Sequence, residues 1–366
     1  MEHELNDYHL YKGPEGVWYY WVYRDGKRIR RSTGQKKRAN AILIIQKRIE
    51  AGDILSPVGT GRSTKFKDYA EPFFDYDRCP IIQAKIKRGK TYTKSFARTN
   101  LYNKNKYLIP EFGSKDIKSI TVKMVDDWLL SLQSKYGISA VTANKQLSLL
   151  RRILDVAVSD GVISSNPANS VEPLDEAENS RGSFSLEQVH SLFAVEWDDI
   201  YVREMCRLAA STGMRLGEIR ALHREQIHEN YIVVDHSYND IDKLKTTKSG
   251  KPRIVPILPE IRDDLLSLPS GGELVFSYNG KVPLCKETVS KRFKAQMKKC
   301  GIDYKTERLS FHSFRHFFNT RLIASGVDGE LTRAVIGHAT KEMTERYLHL
   351  TADDMERITA VQNTII

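Results

Sequence analysis

Thr212–Glu218, TGMRLGE, is the stretch on which the reading of this chain turns. Gly213 is a natural break in the backbone. A helix that restarts after it presents Arg215 at its first turn, with Glu218 three residues further along the same face. Such an i,i+3 pair is often no more than a solvated surface contact. Here four further fragments follow in order: TTKSGK at 246–251, HSFRH at 312–316, IGHAT at 336–340 and ERYLHL at 345–350. In HSFRH, Arg315 lies three residues after His312, so a helix projects both from one face about one turn apart, within reach of one target.

These residue types suit displacement at a phosphodiester. The two non-bridging oxygens share a negative charge that becomes more crowded in the transition state, and protein cations can stabilise it. Arginine is apt because its planar fork stays charged and holds two oxygens at once; Arg215 and Arg315 are the candidates. Tyr347 is the candidate nucleophile. A free phenol, with a pKa near ~10, is ionised in only about one molecule in a thousand at neutral pH, so attack requires a base or an electropositive pocket. Arginines and histidines nearby provide that field. His338 precedes Tyr347 by nine residues, which on one unbroken helix would point the two in opposite directions. The sequence therefore predicts a break at Gly337, a cap at Thr340 and a short helix from Lys341 that carries the tyrosine. A leaving alkoxide needs a proton, and a lysine on a turn can deliver it. Tyr231–Val234 and Arg253–Ile257 read as strands around a Ser249-Gly250 reversal, placing Lys248 near a hairpin tip. Lys243, Lys245 and Lys251 are its rivals, each equally serviceable as a phosphate contact.

TGMRLGE, HSFRH, IGHAT and ERYLHL resemble the conserved boxes of the tyrosine recombinase, or phage integrase, family, in order across the C-terminal half. The resemblance implies that Arg215, His312 and Arg315 bind phosphate, with His312 also handling protons. It implies Lys248 as general acid, His338 as a hydrogen-bond donor to the scissile phosphate, and Tyr347 as the nucleophile that forms a 3′-phosphotyrosine. It further implies a site-specific recombinase that integrates or excises a mobile element. Such an enzyme needs no cofactor or metal, and works as a homotetramer on double-stranded DNA with core-type and arm-type sites, aided by accessory DNA-bending or directionality proteins. A type IB topoisomerase would use the same tyrosine chemistry for relaxation alone. A metal-dependent hydrolase is suggested by His312 and His316 at the offset of a metal pair, but Arg315 beside them would repel a cation.

Composition agrees with a DNA partner. A formal net charge of +11 and a pI near 9.3 on 366 residues suit a polyanion. Cys79, Cys206, Cys285 and Cys300 are too scattered for a disulfide framework or a zinc module. No apolar run approaches the roughly 18 residues of a membrane span, and the N-terminus lacks a signal-peptide pattern; the expectation is a cytoplasmic protein, bacterial or phage-encoded, with no membrane partner.

Working outward, the pattern divides the chain into residues 1–55, 64–172 and 181–366. The expected fold is mixed: a small β-sheet plus helix, then an all-α domain, then a mainly α catalytic domain with a small antiparallel β-sheet. Between Gly16 and Glu50 ten lysines and arginines face only Asp25 and Glu50. Two short strands are expected about an Asp25-Gly26 turn, followed by an amphipathic helix from about Lys36 to Ala51 with Ala39, Ile42, Ile45 and Ile49 on one side. Arg28, Arg30 and Arg31 are its DNA-binding candidates, and the segment resembles the arm-binding domain of phage integrases. A linker spans 52–63. Helical patterns follow near Phe66–Tyr76, Thr93–Leu108, Val122–Tyr136 and Ala140–Asp160. Lys85 to Lys106 holds eight basic residues and no acidic one, with Tyr92, Phe96 and Tyr102 interleaved. Lys87, Arg88, Lys90 and Lys94 are the phosphate candidates there, at the position of the family's core-binding domain. Glu172–Ser180 reads as an acidic hinge, and Ser185 with Gln188 as a capping box. The tail, helical over Ala352–Val361 and ending in Thr364-Ile365-Ile366, is expected to dock in trans on a neighbouring protomer, as in the family.

Overall fold

In the computed structural model the described residues are 8–24, 27–50, 54, 64–176, 182–246, 252–269, 271–337 and 350–366. They fall into two compact units, residues 1–92 with 96–176 and residues 93–95 with 177–366.

The aromatic- and arginine-rich N-terminal stretch forms three strands rather than the two expected. These are β1 (His9–Lys12), β2 (Trp18–Arg24) and β3 (Lys27–Ser32), antiparallel in that order. β1, only four residues long, is too short to show its own periodicity. Trp21 lies opposite both His9 and Arg30, whereas Tyr20 lies opposite Leu10 and Arg31. Opposed residues share a face, so Leu10, Tyr20, Val22 and Ile29 line one side and the aromatics around Trp21 the other. Helix α1 (Arg38–Glu50) packs on β2. Its buried stripe is Ala41 and Ile45, with Ile49 alongside. Ala39, expected on that stripe, is exposed; residues four apart align at 3.6 per turn, and the methyl of alanine is too small to set the phase. The Asp25-Gly26 turn lies outside the described residues.

The helical part of this unit comprises α2 (Phe66–Tyr69), α3 (Pro80–Lys87), α4 (Lys94–Asn103, in this unit from Phe96), a π-helical turn at Lys104–Leu108, α5 (Ile109–Phe112), α6 (Val122–Tyr136) and α7 (Ala140–Ser159). The last two match their sequence patterns because local signals agree. Thr121 and Ser139 accept the N–H groups of Met124 and Thr142, and Gly137 at φ 62° ends α6. The pattern from Phe66 to Tyr76 instead breaks into turns after one helical turn, and Pro80 starts a separate helix that was not anticipated. Phe66, Phe112, Trp128, Leu150 and Ile153 centre its core.

The second unit is built around α9 (Ile200–Thr212), almost wholly buried. α8 (Leu186–Ala194) enters through the anticipated Ser185–Gln188 capping box. Then come α10 (Leu216–Arg220), β4 (Tyr231–Val234), β5 (His236–Asn239), β6 (Lys243–Thr246), β7 (Arg253–Pro256), α11 (Pro259–Ser267), α12 (Lys286–Lys299), α13 (Ser313–Ala324), α14 (Gly329–Ile336) and α15 (Ala352–Gln362). Helices α8, α10, α11, α12 and α13 all contact α9. β4 pairs with β7 as expected, but a second hairpin, β5 with β6, is inserted between them; its strands are too polar to stand out by alternation.

The C-terminal tail packs on its own unit. Ile358, Val361 and Ile365 are buried in the core of their own unit, and Gln362 Nε2 donates to the carbonyls of Ser211 and Pro256, both at 2.8 Å. In this chain these apolar residues are therefore covered by their own unit.

Candidate active site

Gly213, at φ 64°, closes α9 in the left-handed conformation, and Arg215 becomes the extended N-cap of α10. Glu218 reaches back to accept the backbone N–H of Arg215 at 2.9 Å and its Nη1 at 2.8 Å. The Glu218 side chain is only 2% exposed, so the solvated-carboxylate reading does not apply. α10 itself is pressed on β5: a Cβ at Gly217 would lie 2.6 Å from Ser237 Oγ and 3.1 Å from the Tyr238 carbonyl. Arg220 adds a bidentate pair with Asp240 at 2.7 and 3.1 Å and lies over the Tyr238 ring.

The second carboxylate contact comes from a residue sequence reasoning missed. Arg253, at the start of β7, donates to both Glu218 oxygens, at 3.1 and 2.7 Å, and through Nε to the Val335 carbonyl at 3.0 Å. Its only local sign was an arginine opening an otherwise apolar strand. Burial alone would raise the Glu218 carboxyl; the charge and hydrogen bonds of Arg253, then of Arg215, outweigh that and hold it at about 2.

Arg315 sits in the first turn of α13, with His312 as the N-cap. Its Nη1 donates to the Gly213 carbonyl at 2.9 Å, while the buried Nη2 has no partner among the described residues. Burial, with Arg215 and Arg253 nearby and Glu218 acting against them, pulls this guanidinium down to about 9, so it remains charged at neutral pH. Arg215 Nη2 meanwhile donates to the Gly337 carbonyl at 3.1 Å. The structure thus gathers Arg215, Glu218, Arg253 and Arg315 where α10, β7, α13 and the end of α14 meet. Two guanidinium groups share one carboxylate and a third, that of Arg315, is buried close by without pairing to it, a net positive site for an anion. His312 is half-buried, and its ring lies 5.1 Å from the exposed His316, nearly perpendicular. Gly337, at φ 78°, ends α14 as anticipated. Lys248, His338 and Tyr347, with the Thr340 cap and the rival Lys251, lie outside the described residues. Of the other rivals, Lys245 pairs with Asp242 at 3.2 Å and Lys243 opens β6 at φ 59°.

The candidate DNA-binding residues divide by face. Arg28 lies over Trp21 at 4.4 Å and Arg30 over Tyr19 at 4.4 Å, on the sheet face that also carries His9 stacked on Trp21. Arg31 is on the opposite face, donating to the Arg30 carbonyl. Lys87, Arg88, Lys90 and Lys94 are all exposed, around the end of α3 and the start of α4. Lys104, counted in the same basic run, is buried and donates to the Ala70 and Glu71 carbonyls at 2.8 and 2.9 Å. It is a structural cation.

Comparison with known proteins extends this geometry. Residues 184–354 match the phage integrase family, and residues 80–172 the phage integrase SAM-like domain. The chain is 25% identical to tyrosine recombinase XerD of Corynebacterium glutamicum over 267 residues, 67% of this chain and 84% of that protein. It is 26% identical to tyrosine recombinase XerC of Alcanivorax borkumensis over 247 residues, 65% and 78% respectively. Among solved structures, a lambda integrase tetramer bound to a Holliday junction matches with a TM-score of 0.61 at 19% identity, covering 94% of this chain and 96% of that one. The Tn1549 transposon integrase in complex with a circular intermediate DNA matches with a TM-score of 0.58 at 19% identity, covering 76% and 96%.

Proposed function

This chain belongs to the phage integrase family, a tyrosine recombinase that breaks and rejoins DNA strands, and from that premise we propose a site-specific recombinase that integrates or excises a mobile element. The observation that carries the reading is the buried Arg315, whose Nη2 is unpartnered among the described residues, beside Arg215 in a site with more guanidinium than carboxylate charge. An unpartnered buried donor is unfavourable by about 1–3 kcal/mol, and a phosphate oxygen would satisfy it.

In this reading Arg215, His312 and Arg315 hold the non-bridging oxygens of the scissile phosphate, and His338 donates a further hydrogen bond. The Tyr347 oxygen attacks phosphorus, the bond to the 5′ oxygen breaks, and Lys248 gives that oxygen its proton. The 3′ end is then held as a phosphotyrosine until a 5′ hydroxyl attacks in turn and releases the tyrosine. Residues 181–366 form the catalytic domain. Residues 64–172 grip core-type DNA through Lys87, Arg88, Lys90 and Lys94, and residues 1–55 engage arm-type sites with Arg28, Arg30 and the aromatic face beneath them; Arg31 takes a supporting place. A homotetramer on DNA, with accessory bending or directionality proteins, is the working assembly, by analogy with the lambda integrase tetramer on its junction. No helix among the described residues is long and apolar enough to cross a membrane, in keeping with a proposed cytoplasmic location.

A nicked substrate that traps the covalent intermediate tests this directly. The wild type should form a protein–DNA adduct in the presence of a chelator, and Tyr347→Phe should form none. Replacing the 5′ bridging oxygen by sulfur, which leaves without protonation, should restore cleavage to Lys248→Ala. An adduct that persists in Tyr347→Phe, or one that EDTA abolishes, refutes the mechanism.

A further inference from the structure

We propose that Arg253 is a positioning residue of this site, which by gripping Glu218 and the end of α14 holds Arg215 and the approach to His338 in the geometry that cleavage requires. The proposal rests on the recombinase reading above and extends it to a residue argued to act through Glu218 and the end of α14.

Each contact of Arg253 leads to a phosphate-binding element. Its two terminal nitrogens take both oxygens of Glu218, at 3.1 and 2.7 Å, and the same carboxylate carries the backbone and the guanidinium of Arg215. Its Nε takes the Val335 carbonyl, in the last turn of α14. A Cβ added at Gly337 would lie 3.2 Å from Arg253 Cζ and Nε, so the guanidinium is packed against the backbone one residue before His338. That glycine's carbonyl accepts from Arg215, closing a ring of contacts through Arg253, Glu218, Arg215 and residue 337. Arg253 is also the first residue of β7, five positions after Lys248 in sequence. One planar fork therefore ties together the strand that follows the proposed general acid in sequence, the orienting carboxylate, and the helix end that precedes His338. A lysine at 253 would keep the charge but could not span both carboxylate oxygens and the carbonyl together.

The alternative is that Arg253 merely holds the fold. The two differ in how they depend on the charge of the scissile phosphate. In a methylphosphonate one non-bridging oxygen is replaced by methyl, which removes the negative charge that a well-placed Arg215 stabilises. A variant that misplaces Arg215 therefore loses little on this substrate, whereas a variant that weakens the fold loses equally on both.

The experiment measures adduct formation by the full chain on matched nicked DNAs carrying either linkage, together with DNA affinity and thermal unfolding. Arg253→Ala should slow adduct formation about 100-fold on the natural phosphate, as for misplacement by about 1 Å, with DNA affinity within about twofold of the wild type. On methylphosphonate the deficit should shrink to less than about tenfold. Arg253→Lys should restore only part of the rate, and adding Glu218→Gln to Arg253→Ala should produce little further loss, because both act through one chain of contacts. Should Arg253→Ala fail to fold, Arg253→Lys replaces it in the same two-substrate comparison. Equal losses on both linkages, or a variant within about twofold of wild type on phosphate, overturn the proposal. A wild type that forms no adduct would instead overturn the recombinase reading itself.

Discussion

Glu218 shows how one residue's environment decides its role. Buried carboxylates are ordinarily pushed up, yet Arg253 and Arg215 hold this one at about 2 against an ordinary value of 4.5. Because the folded value is depressed, its contribution to stability is complete above the unfolded value and is lost as pH falls through about 4.5 toward 2. The linkage is on the order of 3 kcal/mol. Glu218→Gln should thus be markedly less stable than the wild type at pH 7, and the gap in urea-unfolding free energy should narrow by pH 3. A gap that does not change with pH would mean that the carboxylate is not ion-paired as described. The same residue shows why arginine is used twice around it: two planar forks share one carboxylate, which ammonium groups on flexible stems would not hold in register.

At the level of elements, α10 is the wedge on which the site depends. It is only five residues long and gains little from intrinsic helix propensity. Its place is set by the left-handed break at Gly213, by the Arg220–Asp240 pair and by close packing on β5 at Gly217. Gly217→Ala should therefore push α10 away from β5, since the added carbon meets a backbone carbonyl that cannot swing aside. A loss of about 1–3 kcal/mol is expected, together with slower adduct formation because Arg215 is two residues away. Ser237→Ala in the same background removes the nearer contact, and should recover part of the thermal stability. If Gly217→Ala melts and cleaves like the wild type, the contact between α10 and β5 is looser than described.

For the molecule as a whole, the C-terminal tail belongs to the architecture of its own unit. Removing residues 362–366 exposes the core around Ile358 and Val361, deletes buried Ile365, and leaves the Ser211 and Pro256 carbonyls unmatched. The deletion should lower stability by about 2–4 kcal/mol, visible as a lower melting temperature in the absence of DNA and independent of protein concentration. A tail that served only to link protomers would leave the DNA-free melting curve unchanged.

Much of this was legible in the sequence because it is encoded locally. Arg215 with Glu218, the Gly213 and Gly337 breaks, the Ser185 cap and the helices over 122–136 and 140–159 each follow from residue type and spacing within a few positions, where sterics and capping act. Tertiary structure alone decided the rest. Glu218 finds Arg253 across 35 residues, Arg315 finds the Gly213 carbonyl across 102, and Lys104 is buried although it lies in a run that reads as surface. Hydrogen-bond donors and charges carry no mark of their distant partners. Which basic side chain faces a phosphate and which one holds the fold is settled only when burial leaves each buried polar group in need of a partner.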